Sequence, residues 1–515
     1  MFNKLSNIFN RLTGIGKLVV IAIILAAVGT GLYFGGKKLG VSTPSLPSFI
    51  SGGNDYDAVF LVDTYTGWSP IVWANGGKEG NEESPIYKMF GLKLKIVQID
   101  DFDGATSYWK ETDNAMRFCT LDSYPVEASQ SGTMTDARYF FIHNFSAGAD
   151  AIVATRNIKT VADLKGKKIA CSEGTASHSL LLNTLDASGL KGTDVEINKT
   201  GYGSDVANAF KANTVDAAVV FCPDDDACID NVPGTHVLIS TKQINTLITD
   251  GFLAHSKWLE ENQDKAKKIV EALLWANSEI TNNEEAYKEA CALFSKEFDV
   301  PLKDVLNVGQ KINFATLEDN INWFGLNTNY KGITGESLYT KMSQVYGSLN
   351  LAKATLPWRK ISDISIVESL SESTTLTNNQ TANGTKERKF SAPVQEMQNV
   401  QALSDKKVTI NFPTAGYSLD ADAEVIIERE FLPIIKQFNN MYVRIEGNTD
   451  NTGNYNSNVT LSKKRAQAVA NYLIRMGVDS NRFIVKGNGP DHAIAAGVLG
   501  NSQEYRTTDL QLIAQ

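Results

Sequence analysis

The sequence predicts an α/β protein built from separate parts, and three observations support this prediction. Short apolar runs alternate with segments of helical spacing between residues 58 and 221, a pattern typical of a doubly wound sheet. A run without charged residues stands near the start, at residues 18–34. A strand, a polar loop and an amphipathic helix follow one another over residues 443–477. The chain has 515 residues, enough for two or three domains.

The apolar run near the start predicts a single membrane-spanning helix. Lys17 precedes it, and with its flanking glycines it reaches the roughly 20 residues needed to cross hydrocarbon. Apolar residues continue beyond Gly29-Thr30-Gly31, so we expect an uncleaved anchor rather than a signal peptide removed at that point. Residues 1–36 are therefore predicted to be a cytoplasmic stub with a transmembrane helix. Residues 37–55, rich in Gly, Ser and Pro, are predicted to be a tether.

The composition limits the classes of function. Asp and Glu total 58 against 49 Lys and Arg, a net charge of −9, so affinity for nucleic acid or for anionic membranes is not expected. The five histidines are scattered without metal-site spacing, and the sequence has no Gly-rich phosphate loop. We therefore predict that the protein is not an enzyme and that it uses no metal and no other cofactor.

The cysteines leave two interpretations open. Five of them fall in the central region, and an odd number leaves at least one unpaired in an oxidising compartment. Cys222 and Cys228 are close enough in sequence for a small disulfide loop, and buried thiols are the simpler interpretation for the others. The full set is Cys119, Cys171, Cys222, Cys228 and Cys291.

The central region predicts strands joined by helices. Helices are expected over residues 204–212 and within residues 255–299. Polar loops follow several of the strands, and ligands of open α/β sheets gather at the carboxyl ends of the strands. The predicted strands are Ala58–Val62, Leu92–Ile99, Met116–Leu121, Ala151–Ala154 and Ala217–Phe221.

One run in this region resembles a known family. Residues 163–170 have the sequence Asp-Leu-Lys-Gly-Lys-Lys-Ile-Ala and lead into Glu173-Gly174-Thr175 and a helix. Together with Asn213–Ala218, this pattern resembles the second lobe of type II periplasmic solute-binding proteins, in the branch that binds nitrate, taurine, aliphatic sulfonates or pyrimidine precursors. The resemblance covers residues 56–345.

The resemblance implies a two-lobed, doubly wound periplasmic-binding-protein fold that closes around a small solute. The first lobe is expected to comprise residues 56–150 and 243–345, and the second lobe residues 151–242. Hydroxyl and amide groups at the helix start near Thr175 would suit an anion, although such residues also serve as simple helix caps. The candidate solute-binding residues are Tyr65, Thr66, Trp68, Asp122, Ser123, Ser172, Thr175 and Ser177.

Three adjacent carboxylates leave the charge of the solute open. Asp224, Asp225 and Asp226 follow Pro223, where the chain is expected to cross back toward the cleft. Carboxylates at that position would repel an anion and favour a cationic or zwitterionic solute, or they would simply face solvent. The sequence does not decide between these interpretations.

The end of the chain predicts a linker and a small α+β domain. Residues 346–404 are predicted to be a flexible linker, because their Ser-, Thr- and Asn-rich part has few apolar residues. Residues 405–515 are predicted to form the final domain, which opens with the run Val408–Phe412 and has a helix over about residues 421–438.

A charged pair is expected at the end of a strand of this domain. Asp450 follows a strand that ends near Gly447, and Ser462 is predicted to be the N-cap of the next helix. That start would place Arg465 in the first helical turn, beside free backbone N–H groups that favour a carboxylate. Gly477 is predicted to end the helix. A ligand with an ammonium and a carboxylate would satisfy both charges.

The same stretch resembles the OmpA-type peptidoglycan-binding domain. The resemblance covers residues 405–515 and implies that Asp450 and Arg465 hold the two ends of a diaminopimelate side chain in the wall stem peptide, while Asn458 supports the loop. Thr507-Thr508-Asp509-Leu510 stands where the family usually has Asn-Arg-Arg-Val. The residues that carry the resemblance are Thr449, Asp450, Gly453, Asn458, Leu461, Ser462, Arg465, Ala466, Gly477 and Val478.

These expectations combine into one predicted function. The protein is expected to be a single-pass inner-membrane protein, anchored through residues 18–36, with its N-terminus inside and most of the chain in the periplasm. It would bind peptidoglycan and carry a solute-binding or sensing module. The alternative is a receptor that delivers a small solute to a permease. A motor stator is disfavoured because the span has no Asp, Glu or His to carry protons. The solute, a membrane partner and the oligomeric state stay open.

Overall fold

The computed structural model describes residues 55–514, except residues 133–134, 202, 372, 374–375, 377–379 and 414. The predicted membrane span at residues 18–36 lies outside the described residues. Within the described ranges, no helix has both the length and the apolar character that crossing a membrane requires.

A domain with two separate sheets, called here the two-sheet domain, occupies the first part of the described chain. Its first sheet has the strand order β11-β4-β10-β3-β1-β2, in which β1, β2 and β3 run parallel. The strands of this sheet are β1 (Ala58–Val62), β2 (Leu94–Gln98), β3 (Ala115–Thr120), β4 (Ala137–Ser146), β10 (Thr249–His255) and β11 (Ile312–Phe314).

The second sheet is formed by the intervening stretch of chain. Its strand order is β7-β6-β8-β5-β9, with β6 parallel to both β7 and β8. The chain enters this sheet after β4 and returns to the first sheet at β10, so two short connections join the lobes. The strands are β5 (Asp150–Ala154), β6 (Lys168–Cys171), β7 (Glu196–Lys199), β8 (Ala217–Phe221) and β9 (His236–Ser240).

Helices cover the faces of both sheets because their apolar residues are buried there. The helices of the first lobe's early part are α1 (Ser69–Asn75), α2 (Pro85–Phe90), α3 (Phe102–Glu111) and α4 (Tyr124–Ser131). Those of the second lobe are α5 (Ala176–Asp186), α6 (Ser204–Lys211) and α7 (Asp224–Asn231). Those after β10 are α8 (Ser256–Glu261), α9 (Gln263–Asn282), α10 (Glu284–Phe298), α11 (Leu302–Gly309), α12 (Leu317–Trp323) and α13 (Gly335–Ser348).

The predicted strands of the central region are confirmed with small changes of their bounds. The strands at Ala58–Val62 and Ala217–Phe221 have the predicted bounds, and the other three differ by one or two residues at one or both ends. Residues 255–299, predicted to be helical, contain α8, α9 and α10.

The stretch predicted as a linker contains ordered elements. α14 (Trp358–Ile361) and α15 (Ser365–Leu370) bury apolar side chains and contact β4. Further along, the backbone N–H groups of Asn383 and Thr385 donate to the Asp319 carboxylate at 3.0 and 2.7 Å. The partners in these contacts, β4 and Asp319, are distant in sequence, so the composition of the stretch alone does not predict them. The domain boundaries themselves stay predictions.

The C-terminal domain has one four-stranded sheet of order β12-β15-β13-β14. β13 runs parallel to β14, and β15 runs antiparallel to both β12 and β13. The elements are β12 (Ser404–Val408), α16 (Ala421–Glu430), α17 (Leu432–Gln437), β13 (Tyr442–Asn448), α18 (Tyr455–Arg475), β14 (Phe483–Gly489), α19 (Asp491–Ala495) and β15 (Thr508–Ile513).

The first strand of this domain is β12, whose pairing with β15 runs from Ser404 to Val408. One predicted element of the domain was wrong in its bounds. The single helix predicted over residues 421–438 is divided into α16 and α17. Pro433 stands at the start of α17, where it cannot donate the hydrogen bond that a continuous helix needs.

The predicted start of the last long helix was also wrong. α18 begins at Tyr455, and Asn454 is its N-cap, accepting a hydrogen bond from the backbone N–H of Ser457 at 3.0 Å. Ser462 lies two turns inside the helix, where its hydroxyl accepts from the backbone N–H of Gly489 at 2.9 Å. Gly477 does follow the helix, with a φ of +96°.

The C-terminal domain docks on the second lobe of the two-sheet domain. The Val161 N–H donates to the Leu403 carbonyl at 2.9 Å. The Lys406 ammonium lies 3.0 Å from Asp186 of the two-sheet domain and 3.2 Å from Glu430 of α16. Because Lys406 is buried, this ion pair network belongs to an interface rather than to an exposed surface.

Candidate functional site

A cavity of about 430 Å³ lies between the two lobes. The first lobe contributes residues at the carboxyl ends of β1 and β3 and at the start of β10. The second lobe contributes the N-terminal end of α5 and the end of β8. This is the edge at which open α/β sheets hold their ligands, and the volume suits a small molecule.

The structure brings four of the eight predicted solute-binding residues to this cavity. These four are Tyr65, Ser123, Thr175 and Ser177. Thr175 is the N-cap of α5, and its side chain caps no helical N–H; its hydroxyl donates instead to the Ser172 carbonyl at 2.9 Å. No described side chain caps the backbone N–H groups at the start of α5, whereas the proton of the Thr175 hydroxyl is used by Ser172.

The other four predicted residues lie outside the cavity lining. Thr66 is buried in a short helical turn. Trp68 is buried, and its indole N–H donates to the Asp63 carboxylate at 2.7 Å. Asp122 is fully buried, and burial raises its pKa to about 7. The Ser172 hydroxyl donates to the Gly201 carbonyl at 2.6 Å. These residues support the cavity wall, and a direct role in solute binding stays a prediction for all eight.

The cavity is lined by carboxylates that the sequence analysis did not select. Burial raises the pKa of Asp63 to about 6, and burial likewise raises that of Asp150 to about 6. Burial also raises the pKa of Asp250 well above its usual value, with the negative charge of Asp63 acting in the same direction. The signal in the sequence was their position, since Asp63 directly follows β1 and Asp150 and Asp250 stand where the chain crosses between lobes.

Two other acidic groups of the cavity have cationic partners. Glu127 forms an ion pair with the buried Arg117 guanidinium. Glu173 pairs with the Lys199 ammonium at 2.8 Å. Their charges are therefore compensated within the protein.

The Asp224–Asp226 run lies at the edge of this region. Asp225 pairs with the Lys311 ammonium at 2.9 Å, and the same ammonium lies 3.1 Å from the Cys222 sulfur. Cys222, Asp225 and Asp226 are close enough together to hold a metal ion, but Lys311 already supplies a positive charge there. All five cysteines are buried free thiols, so the Cys222–Cys228 disulfide does not form.

In the C-terminal domain, Asp450 has a partner that the sequence analysis missed. The Arg506 guanidinium lies 2.7 Å from its carboxylate, and the backbone N–H groups of Thr452 and Ser502 also donate to it, at 3.2 and 3.3 Å. Burial opposes ionisation of Asp450, but these donors lower its pKa overall. Arg506 directly precedes the Thr507–Leu510 run. The sequence analysis compared only that run with the family's Asn-Arg-Arg-Val, and so it did not include this basic residue.

Arg465 is held in place by the loop after β12. Its guanidinium donates to the carbonyls of Gly416 and Pro413 at 3.0 and 3.4 Å and lies 4.9 Å from the centre of the Phe412 ring. Since α18 begins at Tyr455, Arg465 lies in its third turn and away from the positive helix end. Burial and then the charge of Arg506 lower its pKa, and the charge of Asp450 opposes them.

Asp450, Arg465 and Arg506 therefore form one electrostatic group, called here the charged triad. Asp450 interacts with each of the two guanidinium groups, and the guanidinium groups repel each other. Such a group can take an additional carboxylate at the guanidinium side and an ammonium at the carboxylate side.

The remaining two predicted residues stabilise the loop that carries Asp450. The Asn458 amide donates to the Thr452 carbonyl at 2.9 Å. The Thr449 backbone N–H donates to the Gly489 carbonyl at 2.8 Å, and its hydroxyl bonds to the Asp450 carbonyl. Both contacts fix the path of the chain between β13 and α18.

Comparison with protein families identifies both domains. Residues 411–507 match the model of the OmpA family. Residues 86–286 match the model described as NMT1/THI5 like. The chain therefore contains an OmpA domain at its C-terminus and an NMT1/THI5-like solute-binding domain before it.

Individual relatives match parts of the chain. A putative binding protein of Brucella abortus is 31% identical over 150 residues, which is 29% of this chain and 47% of that protein. A peptidoglycan-associated lipoprotein of Rhizobium meliloti is 33% identical over 86 residues, 17% of this chain and 48% of that protein. The chain thus spans about half the length of these curated relatives. The crystal structure of an Escherichia coli periplasmic aliphatic sulphonate binding protein aligns over 59% of this chain and 97% of its own, with 20% identity and a TM-score of 0.48.

Proposed function

We propose that the protein binds peptidoglycan through its OmpA domain and presents a solute-binding module beside the wall. The charged triad carries this proposal. Diaminopimelate ends in an ammonium and a carboxylate on one carbon atom, and Asp450 and Arg465 supply the complementary charges. Membership of residues 411–507 in the OmpA family supports the same ligand, as does the name of the Rhizobium meliloti relative.

The proposal includes the placement of the chain in the cell envelope. Residues 18–36 would anchor it in the inner membrane with the N-terminus inside, and the two domains would then lie in the periplasm. Wall binding supports this placement because peptidoglycan lies outside the inner membrane. Deleting residues 1–36 should move the protein from the detergent-soluble membrane fraction to the soluble fraction. A truncated protein that stays in the membrane fraction would contradict the anchor.

Sedimentation with purified wall tests the wall-binding proposal. Diaminopimelate-type wall should retain the wild type, whereas Arg465→Ala should lose about tenfold or more of the affinity, the usual cost of a hydrogen bond to a charged group. Lys463→Ala, which removes an exposed positive charge two residues away, should bind normally. Wall with lysine in place of diaminopimelate lacks the terminal carboxylate and should bind more weakly. Equal retention of the wild type and Arg465→Ala would reject the role of Arg465.

A transport-linked receptor is the second candidate, and the cleft between the lobes favours it. In that function the wall domain only positions the binding module near a permease. Several relatives are named as binding proteins, including the Brucella abortus protein. Co-purification of the membrane-extracted full chain with a permease, increased by the solute, would support the receptor. Solute binding without any such association would favour sensing.

A further inference from the structure

We infer that the cleft binds a small organic cation that carries an ammonium group, an inference that rests on the proposed solute-binding function. Among the described residues, seven acidic side chains line the cavity, and no Lys, Arg or His does. The seven are Asp63, Asp100, Asp103, Glu127, Asp150, Glu173 and Asp250.

Asp250, which is buried, and Asp63 and Asp150, which are half-buried, have only neutral hydrogen-bond partners in the described part of the protein. Asp63 accepts from the Trp68 indole at 2.7 Å, Asp150 accepts from the Ser146 hydroxyl at 2.6 Å, and Asp250 accepts from the Thr120 hydroxyl at 2.8 Å. Asp250 is only 6% exposed, although it faces the cavity.

Three cations near the cavity are already paired. Arg117 binds Glu127, Lys199 binds Glu173, and Lys311 binds Asp225. Within the described part of the chain, none of Asp63, Asp150 and Asp250 lies within 4.0 Å of a Lys, Arg or His nitrogen. Buried carboxylates without a counter-charge are costly, and an ammonium in the cavity would supply that charge.

The apolar part of the cavity wall suits the same class of ligand. Tyr65, Phe102 and Phe221 line the cavity and are each partly exposed. Aromatic faces attract ammonium groups, and they do so more strongly when water is excluded. The cavity therefore combines carboxylates with aromatic rings, the two partners that an alkylammonium ion uses.

An anion is disfavoured although the N-terminal end of α5 reaches the cavity. A helix end carries roughly half a positive elementary charge. Each ionised carboxylate of the lining carries a whole negative charge, and several of them face the same space. The sum of these charges repels a sulfonate or a nitrate and attracts a cation.

Three probes with one two-carbon frame test this inference. Ethanolamine is cationic, 2-hydroxyethanesulfonate is anionic, and taurine carries both groups. Choline is added as a larger ammonium ion. Calorimetric titration and thermal shift of the full chain at pH 7.5 should show binding of ethanolamine and choline, with choline at least tenfold tighter than either sulfonate. Binding of 2-hydroxyethanesulfonate or taurine equal to or tighter than that of ethanolamine would overturn the inference while leaving solute binding intact. Binding of none of the four would overturn both.

Substitutions locate the binding in the cleft. Asp250→Asn and Asp63→Asn keep the shape of the side chains and should each weaken choline binding at least tenfold. Glu260→Gln, exposed on α8 and outside the cavity, should bind choline like the wild type. Circular dichroism identifies any variant that does not fold. The comparison of the four probes uses the wild type, so it decides the charge of the ligand even if a variant does not fold. Unchanged choline binding by both folded Asp variants would overturn the inference.

Discussion

Carboxylates in two different environments dominate the chemistry of this protein at the scale of single residues. In the cleft, Asp63 and Asp150 are half-buried, and their removal from water together with neighbouring acidic groups raises their pKa values to about 6. In the OmpA domain, Asp450 is also largely buried, but Arg506 and two backbone N–H groups lower its pKa. The same side chain therefore becomes ionised only above about pH 6 at one site, whereas it stays ionised well into the acidic range at the other. The difference is the presence of a guanidinium partner.

The raised pKa of Asp63 predicts a pH-dependent gain of stability on substitution. The folded protein binds a proton at a pKa of about 6, against 3.8 for the ordinary group, so this stabilising contribution is complete below pH 3.8 and is lost as the pH rises through 6. Asp63→Asn cannot ionise and can still accept the Trp68 hydrogen bond. The variant should be more stable than the wild type at pH 8, by on the order of 1–3 kcal/mol, and equally stable near pH 3.5.

Urea unfolding of the full chain at both pH values measures this difference. Asp264→Asn, an exposed substitution on α9, is the control and should change the free energy of unfolding by little at either pH. A loss of stability in Asp63→Asn at pH 8 would show that Asp63 has a cationic partner in the free protein.

The lowered pKa of Asp450 predicts a role for Arg506 in wall binding at acidic pH. Wall binding through the triad needs ionised Asp450, and its low pKa keeps it ionised as the pH falls. Arg506→Gln removes the main positive charge beside it, so the pKa should rise. At pH 7 the wall affinity of the variant should be within about threefold of that of the wild type. On lowering the pH from 7 to 4.5, the affinity of the variant should fall roughly tenfold more than that of the wild type.

Sedimentation with wall at pH 7 and pH 4.5 checks this prediction, with Arg429→Gln as an exposed control outside the triad. The same ratio of variant to wild-type binding at both pH values would contradict it, because a purely structural role of Arg506 has no reason to depend on the ionisation of Asp450.

At the scale of elements, the close approach of α18 to β13 positions the charged triad. A Cβ atom at Gly447 would lie 2.1 Å from the Ser462 carbonyl oxygen, so only glycine allows this helix to pack so near the strand. The Ser462 hydroxyl ties the helix to β14 through Gly489. Helix and strand are thereby held at a spacing that brings Arg465 toward the loop after β13.

The packing predicts a large effect of Gly447→Ala. The added methyl group meets backbone, which cannot move away alone, so α18 must shift from the sheet. We expect a loss of about 2–4 kcal/mol in the free energy of unfolding and at least tenfold weaker wall binding. Gly347→Ala is the matched control, because its Cβ would meet nothing closer than 3.9 Å, in a helix where Ala is favoured. Normal stability of Gly447→Ala would reject the tight packing.

Local patterns in the sequence were enough for most strands but not for the start of α18. The apolar runs at Ala58–Val62 and Ala217–Phe221 could be found because a buried strand needs them. Ser462 has the side chain of an N-cap, but its partner is Gly489, which is 27 residues away. Asn454 performs the capping in a loop whose many Asn residues look alike in the sequence.

The candidate sites were predictable to the extent that motifs marked them. Asp450 and Arg465 stood in a motif, whereas Asp250 was marked only by its position, where the chain crosses between the lobes. Arg506 has a partner distant in sequence and had no local signal. The contacts of residues 358–370 with β4 and of Asn383 and Thr385 with Asp319 were missed for the same reason, since they depend on the tertiary fold.

At the scale of the whole molecule, the OmpA domain rests on the second lobe of the binding module. β12 belongs to the OmpA sheet, yet Leu403 just before it accepts a hydrogen bond from Val161 of that lobe. Lys406 on β12 joins Asp186 of the lobe to Glu430 of α16. If the second lobe shifts when the cleft closes around a solute, the shift would therefore act on the OmpA sheet. That sheet carries the wall-binding loop, which is the loop after β13 that contains Asp450.

This docking predicts that Lys406 couples the unfolding of the two domains. Lys406→Met removes a buried positive charge between two carboxylates and leaves them repelling each other, which should weaken the interface by about 1–3 kcal/mol. Hydrogen exchange should then speed up in β12 and in residues 161–164, while the interior of β13 keeps its protection. Lys407→Met, which removes the exposed neighbouring charge on the same strand, should leave exchange unchanged. If Lys406→Met and Lys407→Met exchange alike, the two domains are not coupled through this ion pair, and closure of the cleft has no path to the wall-binding loop through β12.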